Sequence, residues 1–463
     1  MNTPIYDFVN KYINMDPVRL HMPGHKGRKG YGKDITEIDG ADFLSAPLGI
    51  IAESEKNASE LFGCDTFYSV EGSSLCIRAM LFMIKKKAEQ EGRKPAILAG
   101  RNVHVSFINA CALLDIKVDF IMPLKTESYE SCTVTGKDID EYSVDGVDAV
   151  FVTSPDYLGN MLDISELAEA CHRHGIYLMV DNAHGAYLKF LDHSLFPTDM
   201  GADICCSSAH KTLSVLTGGA YLHINKNTDR FFKENARQAL AAFASTSPSY
   251  LILQSLDLCN SYISEEAIKN EVYIITARKV GLLKEDLRKQ GFFVLKNEPL
   301  KVTVMSVRPK DPDCTHIAGM LMNERIYPEF YDRNYLVLMF SPENSEEDYT
   351  RLKNALKKIR DTYKNSLAEG DMHADGEGLI KSENFSSRGD RIPAPERRMS
   401  FSEAMMSASE YVDVKDSVGR IMASPVLSCP PCVPVYMYGE VIRSDIMEYY
   451  SGKISVVKTD KNQ

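Results

Sequence analysis

Residues 206–224, CSSAHKTLSVLTGGAYLHI, decide the fold that we predict for this chain. Lys211 follows a strand-like run, ADICC, and precedes the pair Gly218-Gly219, which places a reactive side chain where a sheet meets a cleft. A lysine amine held near a carbonyl group, with its charge disfavoured, is a nucleophile that forms a Schiff base. The alternative is a solvated surface lysine, because most of the 53 Lys and Arg residues are expected at the surface.

A second segment, IYLMVDNAHGAY (residues 176–187), puts Asp181 directly after five apolar residues. The carboxyl end of a buried parallel strand is where open α/β sheets bind ligands. Pyridoxal phosphate needs a lysine for its aldehyde and an acidic group that keeps its ring nitrogen protonated. Asp181 and Lys211 supply both groups, and we therefore predict this cofactor. The alternative for Asp181 is a carboxylate that caps the following helix.

The chain also resembles the ornithine/lysine/arginine decarboxylases of the aspartate-aminotransferase fold, in their shorter bacterial form. The matching segments occur in family order and cover nearly the whole chain: RLHMPGHKG (19–27), DFLSAPLGIIAESEKNASELFG (42–63), VEGSS (70–74), SPDYLGNMLDI (154–164), DNAHGAY (181–187), SSAHKTL (207–213), STSPSY (245–250) and VGRIMASP (418–425). Departures from the family pattern are Cys429 and Cys432, where an aromatic residue and a glycine are usual, Tyr438 in place of proline, and Val105 in place of a lysine.

Strand-like and helical segments alternate over residues 95–224, which predicts a mostly parallel sheet with helices on both faces. AYLHI (220–224) is expected to close that sheet. Short strands, FFVLK, KVTVMSV and YLVLMF, then indicate a smaller α/β domain. The resemblance implies an aspartate-aminotransferase-like pyridoxal phosphate fold of class α/β. We divide it into an N-terminal arm (1–45), a large cofactor domain (46–290), a small α/β domain (291–364), a linker (365–397) and a small C-terminal domain (398–463).

Gly72, Ser73 and Ser74 form a small-residue turn before a second helix. Such a turn offers unpaired backbone N–H groups and a positive dipole end to an anion, while the serines add hydroxyl groups. An ordinary N-cap explains either serine equally well. The resemblance implies that this turn holds the cofactor phosphate.

The resemblance implies the remaining site residues. His104 is expected to lie flat against the cofactor ring, although a helix-start histidine bonded to the backbone is the alternative. The motifs DNAHGAY and SSAHKTL add Ala183, His184 and Ser208 as cofactor contacts. His210 is either a proton donor beside Lys211 or a phosphate or backbone partner. The hydroxyls of Ser245 and Thr246 are expected to reach the phosphate of the other subunit, with an ordinary turn as the alternative.

Composition limits the partners and the compartment. A net charge of −11 argues against a broad nucleic-acid surface, and the apolar runs are too short to cross a membrane. The N-terminus lacks a secretory signal pattern, and eleven cysteines scattered mostly through apolar runs indicate a reducing compartment. We therefore predict a cytoplasmic protein. No metal site is predicted, because the Cys429/Cys432 pair has no second pair nearby and Pro23 separates His21 from His25.

The predicted reaction is removal of the α-carboxylate of a basic L-amino acid, which yields a polyamine-type amine, in a homodimer or a higher homo-oligomer of dimers. Two alternatives remain open. An aminotransferase or carbon–sulfur lyase of the same fold would hold the substrate carboxylate with an arginine such as Arg325 or Arg333, and a non-catalytic pyridoxal phosphate-binding protein would need no reactive lysine. The sequence does not select among arginine, lysine and ornithine, nor does it identify the acidic residue that binds the distal cation.

Overall fold

The computed structural model describes residues 1–142, 144–306, 312–363, 391–427 and 432–458. Its main element is a seven-stranded sheet of order β1-β7-β6-β5-β4-β2-β3. The strands are β1 (Asp65–Ser69), β2 (Ala96–Gly100), β3 (Lys117–Ile121), β4 (Ala149–Thr153), β5 (Tyr177–Asp181), β6 (Ile204–Ser207) and β7 (Ala220–Ile224). Neighbours pair in parallel from β6 to β3, and only β7 runs antiparallel to both of its neighbours. The predicted mostly parallel sheet is confirmed.

Strand β7 does not close this sheet, which corrects the prediction from AYLHI. It lies between β6 and β1, and β1 forms the edge. Strand β1 was not predicted, because Asp65, Thr66 and Ser69 make this short segment polar. Pairing with β7, which sets Tyr68 opposite Tyr221, makes this segment a strand.

Both faces of the sheet are buried, as parallel sheets require. Alternate residues of one strand enter different cores: Val150 and Val152 face one apolar cluster, whereas Ala149 and Phe151 face the other. The helices of the first 290 residues are α1 (Pro4–Asn14), α2 (Ile50–Phe62), α3 (Gly72–Gln90), α4 (Val105–Leu114), α5 (Gly136–Glu141), α6 (Ile164–Arg173), α7 (Ala209–Thr212), α8 (Arg230–Ala241), α9 (Tyr250–Tyr262) and α10 (Val272–Lys289). A 3₁₀ turn (Ala186–Phe190) follows β5, and a π-helical segment (Ile263–Lys269) follows α9.

The contacts at the two ends of helix α2 explain its bounds, Ile50–Phe62. The Asp42 carboxylate accepts hydrogen bonds from the backbone N–H groups of Gly49 at 2.8 Å and Ile51 at 3.0 Å, which satisfies donors that the first turn leaves unpaired. Gly63 ends the helix in a left-handed conformation, with φ 76°.

The N-terminal arm packs on its own subunit. Helix α1, which the sequence did not predict, contacts α2 and α9. The Asp257 carboxylate accepts hydrogen bonds from Ile5 N and Tyr6 N, both at 2.9 Å. His21 and His25 form hydrogen bonds within the arm: His21 Nε2 lies 2.7 Å from Tyr12 Oη, and His25 Nε2 lies 3.0 Å from Asp34 Oδ2.

The small α/β domain contains an antiparallel sheet of order β10-β11-β9-β8. Its elements are β8 (Phe293–Val294), β9 (Lys301–Met305), α11 (Cys314–Asn323), β10 (Phe330–Tyr331), β11 (Tyr335–Met339) and α12 (Glu346–Thr362). The three predicted strands became β8, β9 and β11. The exact domain limits stay a prediction.

The C-terminal domain contains two small antiparallel pairs, β12 with β15 and β13 with β14. Its elements are α13 (Phe401–Met406), β12 (Ser409–Asp413), a 3₁₀ turn (Val414–Asp416), β13 (Val426–Leu427), β14 (Pro434–Tyr436), α14 (Ile446–Tyr449) and β15 (Lys453–Val457). Residues 391–397, the described end of the predicted linker, run along the large domain, where Arg397 Nη2 donates to Val118 O at 2.7 Å. The rest of the linker and Cys429 lie outside the described residues. No helix among the residues described is long and apolar enough to span a membrane.

Candidate active site

Lys211 and Asp181 lie at the same edge of the sheet. Asp181 is the last residue of β5 and pairs in register with Cys206 of the neighbouring strand β6. Strand β6 ends at Ser207, and the one-turn helix α7 carries Lys211 beyond that edge. The carboxyl ends of adjacent parallel strands therefore bring together the two residues that the sequence singled out.

Lys211 has the environment of a reactive amine. Its residue surface is exposed, which allows a ligand to reach Nζ, while the protein packed around its other sides displaces water. This burial lowers the pKa of the Lys211 ammonium, and the Asp181 carboxylate opposes the shift. Lys211 Nζ lies 3.0 Å from His184 Nε2. Burial first, and then the Lys211 charge, lower the pKa of His184 well below its usual range, so this ring is neutral.

Asp181 is buried, with 3 % of its surface exposed. Its Oδ1 accepts hydrogen bonds from Ala183 N at 3.1 Å and from the Cys206 thiol at 3.6 Å. The bond from Ala183 N fixes the turn after β5. Asp181 therefore binds a backbone N–H group of the following segment, as the capping alternative predicted, although this group lies in a turn. The carboxylate is thus a buried acceptor with few donors at the ligand-binding edge of the sheet.

The entry to α3 is a helix N-terminus without a side-chain cap. No side chain caps this 19-residue helix, and Gly72 opens it with φ +71° and no atom within 4 Å of where a Cβ would stand. Gly72 N donates to Gly218 O at 2.8 Å, which joins this turn to the Gly218-Gly219 turn after Lys211. The ordinary N-cap alternative for Ser73 and Ser74 is not observed, because Glu71 occupies the N-cap position.

Four serine hydroxyls meet at this entry. Ser208 Oγ donates to Ser73 Oγ at 2.9 Å, and Ser106 Oγ donates to Ser74 Oγ at 2.8 Å. Ser106 was not among the predicted site residues, since a serine in the first turn of α4 has no sequence signal beyond that of a helix start. Hydroxyls and unpaired N–H groups together suit an anion with several oxygens, such as a phosphate.

His104 is the N-cap of α4. Its Nδ1 accepts a hydrogen bond from Ser106 N at 3.1 Å, so the alternative of a helix-start histidine bonded to the backbone is observed. Burial lowers the pKa of His104, and the Lys211 charge adds to this effect while Asp181 opposes it. The ring is half-buried and neutral. Its contact with a cofactor ring stays a prediction that this capping geometry permits.

His210 is tied to the backbone. Its Nδ1 lies 3.0 Å from Gly219 O, and because a carbonyl only accepts, Nδ1 carries the proton. Burial lowers the pKa of His210, and the bond to Gly219 opposes the shift. The backbone-partner alternative is thus observed, and a catalytic role would fall to the Nε2 atom.

Ser245 and Thr246 are exposed and lie in the loop between α8 and α9, not on a helix. Ser245 N donates to Glu71 Oε1 at 2.7 Å, next to Gly72 of the same chain. Their proposed contact with a second subunit stays a prediction.

Two further residues connect to the site and were not predicted. Tyr157 packs edge-on against the His184 ring at 5.4 Å, and its hydroxyl donates to Glu329 Oε1 at 2.9 Å. Among the described residues Glu329 forms no ion pair, and its residue surface is exposed. A carboxylate is thereby linked to Lys211 through Tyr157 and His184.

The residues present fit pyridoxal phosphate. Lys211 and Asp181 match its aldehyde and ring nitrogen, and the α3 entry matches its phosphate. Two buried polar atoms at the same sheet edge, Thr153 Oγ1 and His184 Nδ1, find no hydrogen-bond partner in the part of the chain described. Such orphaned atoms are expected where a polar ligand binds. Within that part no group of three or more His, Cys, Asp or Glu side chains could hold a metal ion.

Sheet order and site geometry together place the protein among the aspartate-aminotransferase-like enzymes of fold-type I. Lysine decarboxylase A from Pseudomonas aeruginosa superposes with a TM-score of 0.79 at 17 % identity, over 98 % of this chain and 80 % of that one. The constitutive lysine decarboxylase of E. coli gives a TM-score of 0.76 at 15 % identity, over 99 % and 82 % of the two chains. These likenesses show the fold.

Residues 3–311 match the major domain of the Orn/Lys/Arg decarboxylases, and residues 381–456 match their C-terminal domain. The chain therefore belongs to the Orn/Lys/Arg decarboxylase family, and it is a pyridoxal phosphate-dependent amino-acid decarboxylase. A protein named arginine decarboxylase from Bacillus subtilis is 27 % identical over 96 % of this chain and 92 % of its own. Another protein of that name, from Halalkalibacterium halodurans, is 26 % identical over the same shares of the two chains.

Proposed function

We propose that this enzyme removes the α-carboxylate of a basic L-amino acid, with arginine as the first substrate to test. The observation that carries the proposal is the pairing of Lys211, whose pKa burial lowers, with buried Asp181 at the ends of β6 and β5. The curated relatives named above favour arginine over lysine and ornithine.

Bound pyridoxal phosphate would supply a carbonyl for the substrate amine and a ring that withdraws electrons from the substrate α-carbon. Lys211 would hold that carbonyl and release it to the substrate. The α3 entry, with Gly72, Ser73, Ser74 and the Ser208 hydroxyl, would bind the phosphate. Asp181 would keep the proton on the ring nitrogen, and His104 would exclude water from one face of the ring.

We assign proton delivery to the substrate α-carbon to Lys211 Nζ. The bond from His210 Nδ1 to Gly219 O leaves Nε2 without a proton in the neutral ring, and the lowered pKa of His210 disfavours a second proton. A neutral Nε2 accepts protons and cannot give one. Lys211 is exposed on its open side and can reach a ligand directly.

Glu329 is our candidate for the group that binds the distal cation of the substrate. Its carboxylate is held by the Tyr157 hydroxyl at 2.9 Å, and Tyr157 contacts His184 beside Lys211. A guanidinium or ammonium group would complete a charge-assisted hydrogen bond to this carboxylate.

The wild-type enzyme is expected to release carbon dioxide from arginine, and Glu329→Gln is expected to raise the KM for arginine. A hydrogen bond to a charged group contributes about 1.5–3 kcal/mol, which corresponds to roughly a 10- to 150-fold increase. Steady-state assays with arginine, lysine and ornithine measure this. Glu347→Gln, which alters an exposed glutamate in the first turn of α12, is the control.

An unchanged KM would reject Glu329 alone. Absence of carbon dioxide release from all three amino acids, with cofactor bound, would reject the proposed function.

The aminotransferase alternative needs an arginine that holds the substrate carboxylate, and neither candidate arginine favours it. The Arg333 side chain is 87 % exposed, and its Nε lies 3.7 Å from Asp313 Oδ2. Arg325 is also exposed.

We further propose that the enzyme acts as a homodimer in the cytoplasm. The N-terminal arm and the segment directly after it present large apolar side chains to solvent: Val18 is 86 % exposed, Leu20 91 % and Leu48 94 %. Large apolar side chains this exposed over one stretch of the chain are typical of an interface. In the described residues nine cysteines are buried in apolar surroundings, which fits a reducing compartment.

Mixed dimers test whether the site is shared. Lys211→Ala subunits mixed with subunits that carry both Ser245→Ala and Thr246→Ala are expected to regain partial activity, because one site of each hybrid is then intact. Lys211→Ala mixed with Asp181→Asn is the negative control, since both residues belong to one subunit's sheet edge. No recovery despite demonstrated subunit exchange would place the two hydroxyls in their own subunit's site or outside it.

A further inference from the structure

The C-terminal domain holds the backbone just before His104. Arg101, which is 7 % exposed, donates from Nη1 to Pro434 O at 2.9 Å and from Nη2 to Val435 O at 3.1 Å. Its Nη2 also lies 3.2 Å from both oxygens of Glu440, which is 3 % exposed. The Glu440 carboxylate accepts a second bond from Met437 N at 2.8 Å. We refer to residues 432–440 as the C-terminal loop.

The same loop holds the backbone just after His104. Val105 N donates to Cys432 O at 3.0 Å, so a carbonyl of the C-terminal loop satisfies a first-turn donor of α4. One turn further on, the Tyr438 hydroxyl donates to Asn109 Oδ1 at 3.1 Å. Met437 and Tyr438 belong to the apolar cluster that also contains Phe107 and Ile108 of α4.

The loop is held in a conformation that needs support. Cys432 has φ +61°, and Gly439 has φ +75° with Met399 O at 2.2 Å from where a Cβ would stand. Left-handed conformations cost free energy in residues other than glycine, so the surrounding contacts must maintain the Cys432 turn. The bonds to Arg101 and Val105 are such contacts.

We propose that the C-terminal domain positions His104 at the active site, and that Arg101, Glu440 and Tyr438 are positioning residues which fix the start of α4 from both sides. The effect that we expect on the active site rests on the proposed function. His104 caps α4 through Nδ1, so the direction of its ring follows the first turn of that helix. A misplacement of about 1 Å costs an active site up to roughly a hundredfold in rate.

The Glu440→Gln variant tests whether the C-terminal loop fixes the start of α4, because it leaves the Arg101 guanidinium buried without its carboxylate. Hydrogen–deuterium exchange of residues 103–109, measured by mass spectrometry, is expected to be at least about tenfold faster than in the wild type. Glu55→Gln is the matched control: Glu55 is also buried and is held by Arg237 and by Tyr68 N. It is expected to leave exchange over 103–109 unchanged even where it lowers overall stability.

Cofactor binding gives the second measurement. In Glu440→Gln the Kd for pyridoxal phosphate is expected to rise at least about tenfold, with a changed visible circular dichroism band, because the ring contact of His104 is misplaced. Tyr438→Phe removes only one hydroxyl and is expected to shift both measurements in the same direction by about two- to fivefold. This mild variant decides the question if Glu440→Gln fails to fold.

Unchanged exchange over residues 103–109 in both variants would overturn the proposal. Faster exchange with unchanged cofactor affinity and dichroism would also overturn it, since α4 would then be loosened without effect on His104. A wild-type protein that binds no pyridoxal phosphate would contradict the proposed function instead. The exchange experiment needs no cofactor and would still report whether the C-terminal loop fixes the start of α4.

Discussion

Replacement of Lys211 by alanine is expected to lower decarboxylation of the preferred amino acid by at least about 10⁴-fold, since removal of a covalent catalytic residue typically costs that much or more. The reason is that Lys211 would act twice, as the group that holds the cofactor carbonyl and as the proton donor. Burial lowers the pKa of Lys211 and so favours the neutral, nucleophilic amine, while its exposed residue surface allows a ligand to reach it. Lys226→Ala, which alters an exposed lysine after β7, is the control and is expected to retain full activity.

The Lys211→Ala protein is nonetheless expected to bind pyridoxal phosphate reversibly, because the α3 entry and Asp181 remain. Dialysis should then remove the cofactor from the variant and leave it on the wild type. A variant that keeps more than about a tenth of wild-type turnover would show that another group performs this chemistry.

Replacement of Asp181 by asparagine is expected to lower turnover by at least about a hundredfold while the protein keeps its cofactor. An amide cannot stabilise a positive charge on the ring nitrogen, and that charge matters most when electrons move into the ring. Turnover in a single-substrate assay and the absorbance of the bound cofactor measure the two effects separately.

Asp148→Asn provides a matched control for this variant. Asp148 is also buried and accepts a bond from Ala96 N at 2.8 Å, but it lies just before β4, at the opposite end of the sheet. The control is expected to lose stability and to keep turnover. Near-normal turnover of Asp181→Asn would mean that Asp181 serves only the turn that it forms with Ala183 N.

The parts of the site that follow strand patterns could be predicted from the sequence. Lys211 and Asp181 each come after an apolar run, and parallel strands bring their carboxyl ends to one edge. Gly72, Ser73 and Ser74 could be recognised for a similar reason, since a small-residue turn before a helix has a known physical use. The strand ends could be placed from residues close together in the chain, whereas the phosphate role of the Gly72 turn also needed the family resemblance, because an ordinary N-cap fits the same residues.

The contacts that the sequence could not predict join distant segments. Tyr157 and Glu329 are 172 positions apart, and Arg101 and Glu440 are 339 apart. No local pattern marks either pair, because the partners meet only after three domains have packed. Strand β1 is a related case, since its polar residues form a strand only through pairing with β7.

The most direct test of the central claim is reduction of the purified enzyme with borohydride, followed by peptide mapping. We expect a yellow protein whose colour is lost on reduction and whose cofactor becomes permanently attached to Lys211, because only a lysine bonded to the cofactor carbonyl is fixed in this way. A colourless protein, or a cofactor fixed to any other lysine, would contradict the assignment of this site.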